Sequence, residues 1–312
     1  MIGLLLFVLL LFVAVAWATS LLIGTLARPA AGLLARIEPA ARARTWFTAA
    51  LAPGIVGASV VFGALVPREW LGEMNHCLEH VHMHLCALCG APSPNVVATT
   101  LLIAVITWLA WGLSRGVRRA MQGVRLVGSL LTHREHGVQV IDDARLTAFT
   151  AGLLNPQIYL SAPVAASAHR WRAVVAHERA HAKRHDPLLR LIARLASGLH
   201  LPATADRVLR ELDEAQELAA DEDAAAELGD RGLVAATLVE WVKEARLSVQ
   251  DTLAFEGATL ERRVRVLLDP PVYLRTRLAG SFAFNAAFAG LIALATTPLH
   301  HSLEHLLELF AG

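Results

Sequence analysis

Cysteine is nearly missing from this chain: three occur in 312 residues, all between positions 77 and 89, which excludes a disulfide framework spread through the fold. Charge is sparse too, at 18% of residues against 55% hydrophobic, with a mean hydropathy of +0.48. So apolar a chain is not an ordinary soluble protein; it is read as a membrane protein. The charges present nearly cancel, to a formal +1, which gives no case for a nucleic-acid partner. There is no internal repeat and no low-complexity segment apart from the apolar runs themselves.

What the chain does have is apolar runs separated by asymmetrically charged loops. Residues 2–24 form an uncharged Leu/Val/Ala-rich run, about 34 Å long as a helix and sufficient to cross a bilayer core. Ala14-Val15-Ala16 resembles a cleavage site, but no basic stretch precedes it and the apolar run continues past it, so a retained first span is expected. Residues 25–45 carry Arg28, Arg36, Arg42 and Arg44 against Glu38 alone, which places that loop in the cytoplasm and the N-terminus outside. The second span is 46–66, loosened by Pro53, Gly54, Gly57 and Gly63. Residues 67–95 hold only Arg68 as a base and belong outside. The third span is 96–113, with Trp108 and Trp111 at the inner interface and Arg115, Arg118 and Arg119 just beyond. Arg275 and Arg277 precede a fourth run, 278–298, whose tail ends outside.

The expected organisation is therefore three transmembrane helices in 1–113 with an external Cys/His loop at 67–95, a cytoplasmic domain at 114–277, and a fourth transmembrane helix with a short external tail at 278–312. The fold class is an α-helical membrane protein of four transmembrane helices bearing a mainly α (α+β) domain. Both termini lie outside a bacterial-type inner membrane, and the lipid bilayer is the chain's first partner. Within the domain, 137–141 and 157–161 alternate as strands do, 146–154 is strand-compatible, and Asn155-Pro156 marks a turn. Helical patterns follow near 166–185, 187–199, 203–227, 231–246 and 258–268.

The chemistry sits in the most charged part of the chain, at His177-Glu178-Arg179-Ala180-His181. Residues four apart share one helix face, so the two imidazoles can converge on one metal ion, and zinc suits that geometry. Glu178 falls beside the ion, where a carboxylate can take a proton from water and return it to a leaving amine. Two histidines leave a catalytic zinc one protein ligand short. Downstream, Glu214, Glu217 and Asp221 lie at spacings of three and four on one helical face, and periodicity alone does not choose among them.

The run from His177 to Leu188, with Arg184 and Asp186 three and five residues after the second histidine, and the later Glu217-Leu218-Ala219-Ala220-Asp221 resemble the BlaR/MecR-type integral-membrane metallopeptidases, antirepressors of β-lactam signalling. Asn155 to Leu160 is similar to the strand ahead of that family's active-site helix, and the four-span layout is similar too. The resemblance implies a zincin-like domain, a zinc cofactor held by His177, His181 and Glu217, and Glu178 as general base. It also implies Asp221 as the carboxylate holding a ligand histidine by its other ring nitrogen. Arg184 and Asp186 match family positions and equally suit a helix-end ion pair. His185 lies a further turn along and should not reach the ion. Only residues 299–312 follow the last span, so the penicillin-binding sensor domain of that family is not expected, and no G-x-S-x-G or S-x-x-K signature replaces it outside.

The resulting expectation is a membrane zinc endopeptidase that cleaves a cytoplasmic protein such as a transcriptional repressor, with the substrate extended along the strand near 157–161. A quality-control protease similar to the HtpX type is the alternative enzyme, and a non-proteolytic metal-binding receptor is the alternative outside enzymology. A separate expectation concerns His76, Cys77, His80, His82, His84, Cys86 and Cys89, joined outside by His300, His301 and His305: they bind a transition metal such as copper or zinc, or the cysteines form a disulfide.

Overall fold

The computed structural model describes residues 2–65, 100, 103–104, 106–114, 117–118, 132–135, 137–143, 147–166, 168–248 and 253–274. The cysteine and histidine residues at 76–89 and 300–305 and the fourth apolar run at 278–298 lie outside them.

Two long apolar helices open the chain, α1 (Ile2–Leu34) and α2 (Pro39–Leu65), and both are long and apolar enough to cross a membrane, over Val8–Leu34 and Pro39–Phe62. Each helix runs past the hydropathy boundary toward the turn that joins the two. The arginine-bearing segment expected as a loop over 25–45 is mostly helix, and the break is confined to residues 35–38. The reason is that alanine and arginine are strong helix formers, so Ala27, Ala30, Ala31, Ala40, Ala41 and Ala43 carry the helices on although their neighbours are polar. Pro39 opens α2, where its missing N–H costs nothing. The third run is helical at 103–104 and 106–114, and its Trp108 meets Trp17 of α1 edge to face, ring centroids 5.4 Å apart.

A small sheet follows, of strands β1 (Thr132–Glu135), β2 (Val138–Ile141), β3 (Ala148–Ala151) and β4 (Gln157–Ser161), in the order β1-β2-β4-β3. β2 and β4 are parallel, pairing Val140 with Leu160, while β3 runs antiparallel to β4 with Thr150 opposite Ile158. β1 has no apolar alternation to announce it and forms by pairing with β2 across the Gly137 turn, where φ is +86°. β4 is an interior strand, bonded on both edges. It therefore cannot accept an extended substrate, which corrects the expectation for 157–161.

The helices after the sheet are α3 (Ala162–Ala165), α4 (Ala168–Arg184), α5 (Asp186–Ala196), a 3-10 turn (Ser197–Leu199), α6 (Pro202–Leu228), α7 (Arg231–Ser248) and α8 (Leu253–Leu268). Helix α4 ends where His185 turns left-handed at φ 54°, and Asp186-Pro187 begins α5 at once. Gly229, at φ 67°, closes α6 in the left-handed position that glycine takes without strain.

Helix α4 is buried between two layers. Its Val174 and Val175 pack on Val138, Val140 and Leu160 of the sheet and Val164 of α3, and its Ala176 packs on Ala224, Ala225, Val234, Ala235 and Leu267 of α6, α7 and α8. A second core joins this domain to the apolar pair: Ala27, Ala43, Trp46 and Ala50 of α1 and α2 close on Ala193, Val208, Leu212 and Ala215 of α5 and α6. Past α8 the chain returns to the α1–α2 turn, where the Leu274 N–H donates to the Arg36 carbonyl at 2.8 Å.

Candidate metal centre

Small residues set the approach of α4 and α6. Ala176 and Ala180 on one helix, with Ala220 and Ala224 on the other, are at most 3% exposed, and without longer side chains between the backbones the helices lie close. His177 and His181 project from α4 toward α6 at adjacent turns, and Glu217 meets them. The His177 and His181 Nε2 atoms are 3.2 Å apart; Glu217 Oε2 is 3.4 Å from the first and Oε1 is 3.5 Å from the second. This group of three could hold a metal ion, since its donor atoms all lie within 4.8 Å of one another.

The donors are held from behind. His181 Nδ1 is 2.6 Å from Asp186 Oδ2, and Asp186 is 2% exposed. His177 Nδ1 is 2.9 Å from Asp221 Oδ1. Asp221 in turn takes both Arg263 Nε and Nη2 at 2.7 Å, a fork that fixes its orientation. Burial disfavours a charged His177, but the carboxylates of Asp221 and Glu217 outweigh it and raise its pKa to about 9. Burial likewise disfavours ionised Glu217, yet His177, Arg263 and His181 hold its carboxyl well below the usual range. A metal ion taken up by the imidazoles competes with a proton there.

Glu178 lies on the same helix, 8% exposed, beside the triangle and not in it. Thr150 of β3 reaches it: its hydroxyl oxygen is 2.8 Å from Glu178 Oε2 and 2.9 Å from the Glu178 carbonyl, and its one proton serves one of them at a time. A cleft of about 200 Å³ opens here, with His177, Glu178, Glu217, Asp221 and Arg263 on its polar side and Val174, Val234, Leu238 and Trp241 on its apolar side. Ala148 of the edge strand β3 also lines it.

Among the candidate carboxylates, Glu214 is turned elsewhere: its Oε1 lies 3.6 Å from Arg42 Nη2 of α2 and pairs with Arg262. Arg184 and Asp186 do form an ion pair, at 3.1 Å, and Asp186 at the same time serves His181. His185 is exposed at the helix break and takes no part. Sequence reasoning did not find Arg190, Gln216, Arg263 or Thr150, because nothing in their local patterns marks them and only the tertiary fold brings them to the cluster. Comparison with family models, with curated proteins and with solved structures returns no match for the chain.

Proposed function

We propose that the chain is a membrane-embedded zinc endopeptidase that cleaves a protein on the cytoplasmic side, a transcriptional repressor being the substrate class the BlaR/MecR resemblance implies. The observation that carries the reading is the grouping of His177, His181 and Glu217 with a further carboxylate, Glu178, at its side. A tetrahedral zinc with bonds of about 2.1 Å separates its ligand atoms by about 3.4 Å. With one donor atom taken from each residue the three lie within 4.8 Å of one another, so uptake of the ion would draw the side chains somewhat closer together. The donor set of two imidazoles and one carboxylate, with a carboxylate behind each imidazole, suits a catalytic site and leaves a position open toward the cleft.

When bound, zinc supplies Lewis acidity at the scissile carbonyl and makes water a better nucleophile. Glu178 takes the proton from the attacking water and delivers it to the leaving amine. Thr150 ties down one of its carboxylate oxygens, and the other carries the proton. The substrate backbone extends along β3, which runs beside Glu178 and, among the described residues, is the sheet edge paired with β4 alone. Val174, Val234, Leu238 and Trp241 receive an apolar side chain next to the cleaved bond.

The cytoplasmic placement is supported by the arginines of 25–45 and 115–119 and by Leu274, which pairs with Arg36 at the α1–α2 turn. Labelling of new protein N-termini in cells producing the wild type or Glu178→Gln tests the proposal. Cytoplasmic N-termini that appear only with the wild type support it; identical sets would leave the non-proteolytic receptor as the better account.

A further inference from the structure

The two oxygens of Glu217 are not equivalent. Oε1 accepts from Arg190 Nη2 at 2.8 Å, the length of a good charge-assisted bond, whereas Oε2 lies 3.4 Å from His177 Nε2 and 3.2 Å from Arg263 Nη1, a guanidinium already committed to Asp221 by two bonds of 2.7 Å. Arg190 is itself fixed, because its Nε donates to Gln216 Oε1 at 2.7 Å and lies 3.4 Å from Asp213. Gln216 is 1% exposed, and its Nε2 donates to Asp186 Oδ1 at 3.3 Å. Asp186 is the carboxylate behind His181. A closed ring therefore runs from His181 through Asp186, Gln216 and Arg190 to Glu217 and back to His181.

We propose that Arg190 is a positioning residue that occupies Glu217 Oε1, so that Glu217 offers the ion Oε2 alone and the ring of Asp186 and Gln216 holds that one-oxygen geometry against His181. The consequence is chemical. A carboxylate that chelated through both oxygens would fill a position needed for water or the substrate carbonyl. Arg190 keeps that position open and, being joined to Asp186 through Gln216, sets the carboxylate and the second histidine as one unit. Arg263 cannot substitute, since its fork serves Asp221 and hence His177.

The inference rests on the reading of His177, His181 and Glu217 as a metal site, and the test separates the two. Full-length protein in detergent is loaded with cobalt(II) and its visible absorption recorded; zinc affinity is measured against a chromophoric chelator. Four proteins are compared: wild type, Arg190→Gln, Arg190→Lys and, as a control, Arg194→Gln, at an exposed arginine one turn further along the same helix. The wild type and Arg194→Gln should show the intense bands of a four-coordinate site. Arg190→Gln should show weaker bands, as the freed carboxylate closes on the ion with both oxygens, and zinc affinity lower by about 10–100-fold. Arg190→Lys, which keeps the charge but not the fork to Gln216, should fall between them, and it carries the test if the Gln variant does not fold. Wild-type bands and affinity in both Arg190 variants would overturn the inference while leaving the metal site intact. A wild type that takes up no cobalt or zinc would overturn both.

Discussion

Replacing Asp221 with alanine strands a buried cation. The carboxylate is 1% exposed and accepts two bonds of 2.7 Å from Arg263, whose side chain is 15% exposed. Removing one member of such a pair costs roughly 3–5 kcal/mol. Here Glu217 remains 3.2 Å from Arg263 Nη1 and compensates in part, so the lower end, about 3 kcal/mol, applies. At about 2–4 °C per kcal/mol for a unit of this size, the melting temperature of the metal-free protein in detergent should fall by about 6–12 °C. Zinc affinity should fall as well, by about 10–100-fold, because His177 loses the carboxylate behind it. The double variant Asp221→Leu, Arg263→Met separates the effects: with no unpaired charge left, most of the stability should return, while the affinity stays low. Differential scanning fluorimetry with and without zinc measures both. An Asp221→Ala protein that melts within about 2 °C of the wild type, or a double variant no more stable than the single, would refute the reasoning.

Other perturbations probe the apolar helices and the sheet. Gly24→Val in α1 should destabilise the junction with α6, because a Cβ there would lie 2.5 Å from Thr204 Oγ1, whereas Gly32→Val on the same helix should melt as the wild type, with nothing within 4 Å. Gly152→Ala should lower the melting temperature by several degrees: its φ of +105° is strained for any side chain, and the new Cβ would lie 2.6 Å from the Asn155 carbonyl oxygen. Reporter fusions after Arg125 and after Gly312 should report opposite compartments, and finding both on one side would remove a span from the four-span topology.

The site was legible where chemistry follows helical spacing. His177, Glu178 and His181 stand out by their i and i+4 pattern, and Glu217 and Asp221 lie four apart on a second helix, although preferring Glu217 over Glu214 needed the family resemblance. The structure shows the physical basis of that preference, since Glu214 is spent on Arg42 and Arg262. Arg263 lies in the last helix described and reaches Asp221 only because α8 packs against α6, a relation no local pattern encodes. Thr150 could be suspected only by knowing that β3, not β4, forms the sheet edge, and strand order is set by pairing across the sheet. Hydropathy placed the first two apolar helices but not their ends, because it reports where polarity begins while alanine and arginine continue the backbone. The capping and breaking signals did better: His185-Asp186-Pro187 and Pro202 fall where helices stop and start.

Metal content is the most direct measurement of the central claim. Elemental analysis of purified wild type, Glu178→Gln, Glu214→Ala and Glu217→Ala, each with residues 76–89 and 300–305 cleared of histidine and cysteine, counts only the inner site. The account predicts one zinc per chain in the first three and background in Glu217→Ala. Background in the wild type, or zinc retained by Glu217→Ala but lost from Glu214→Ala, would contradict it.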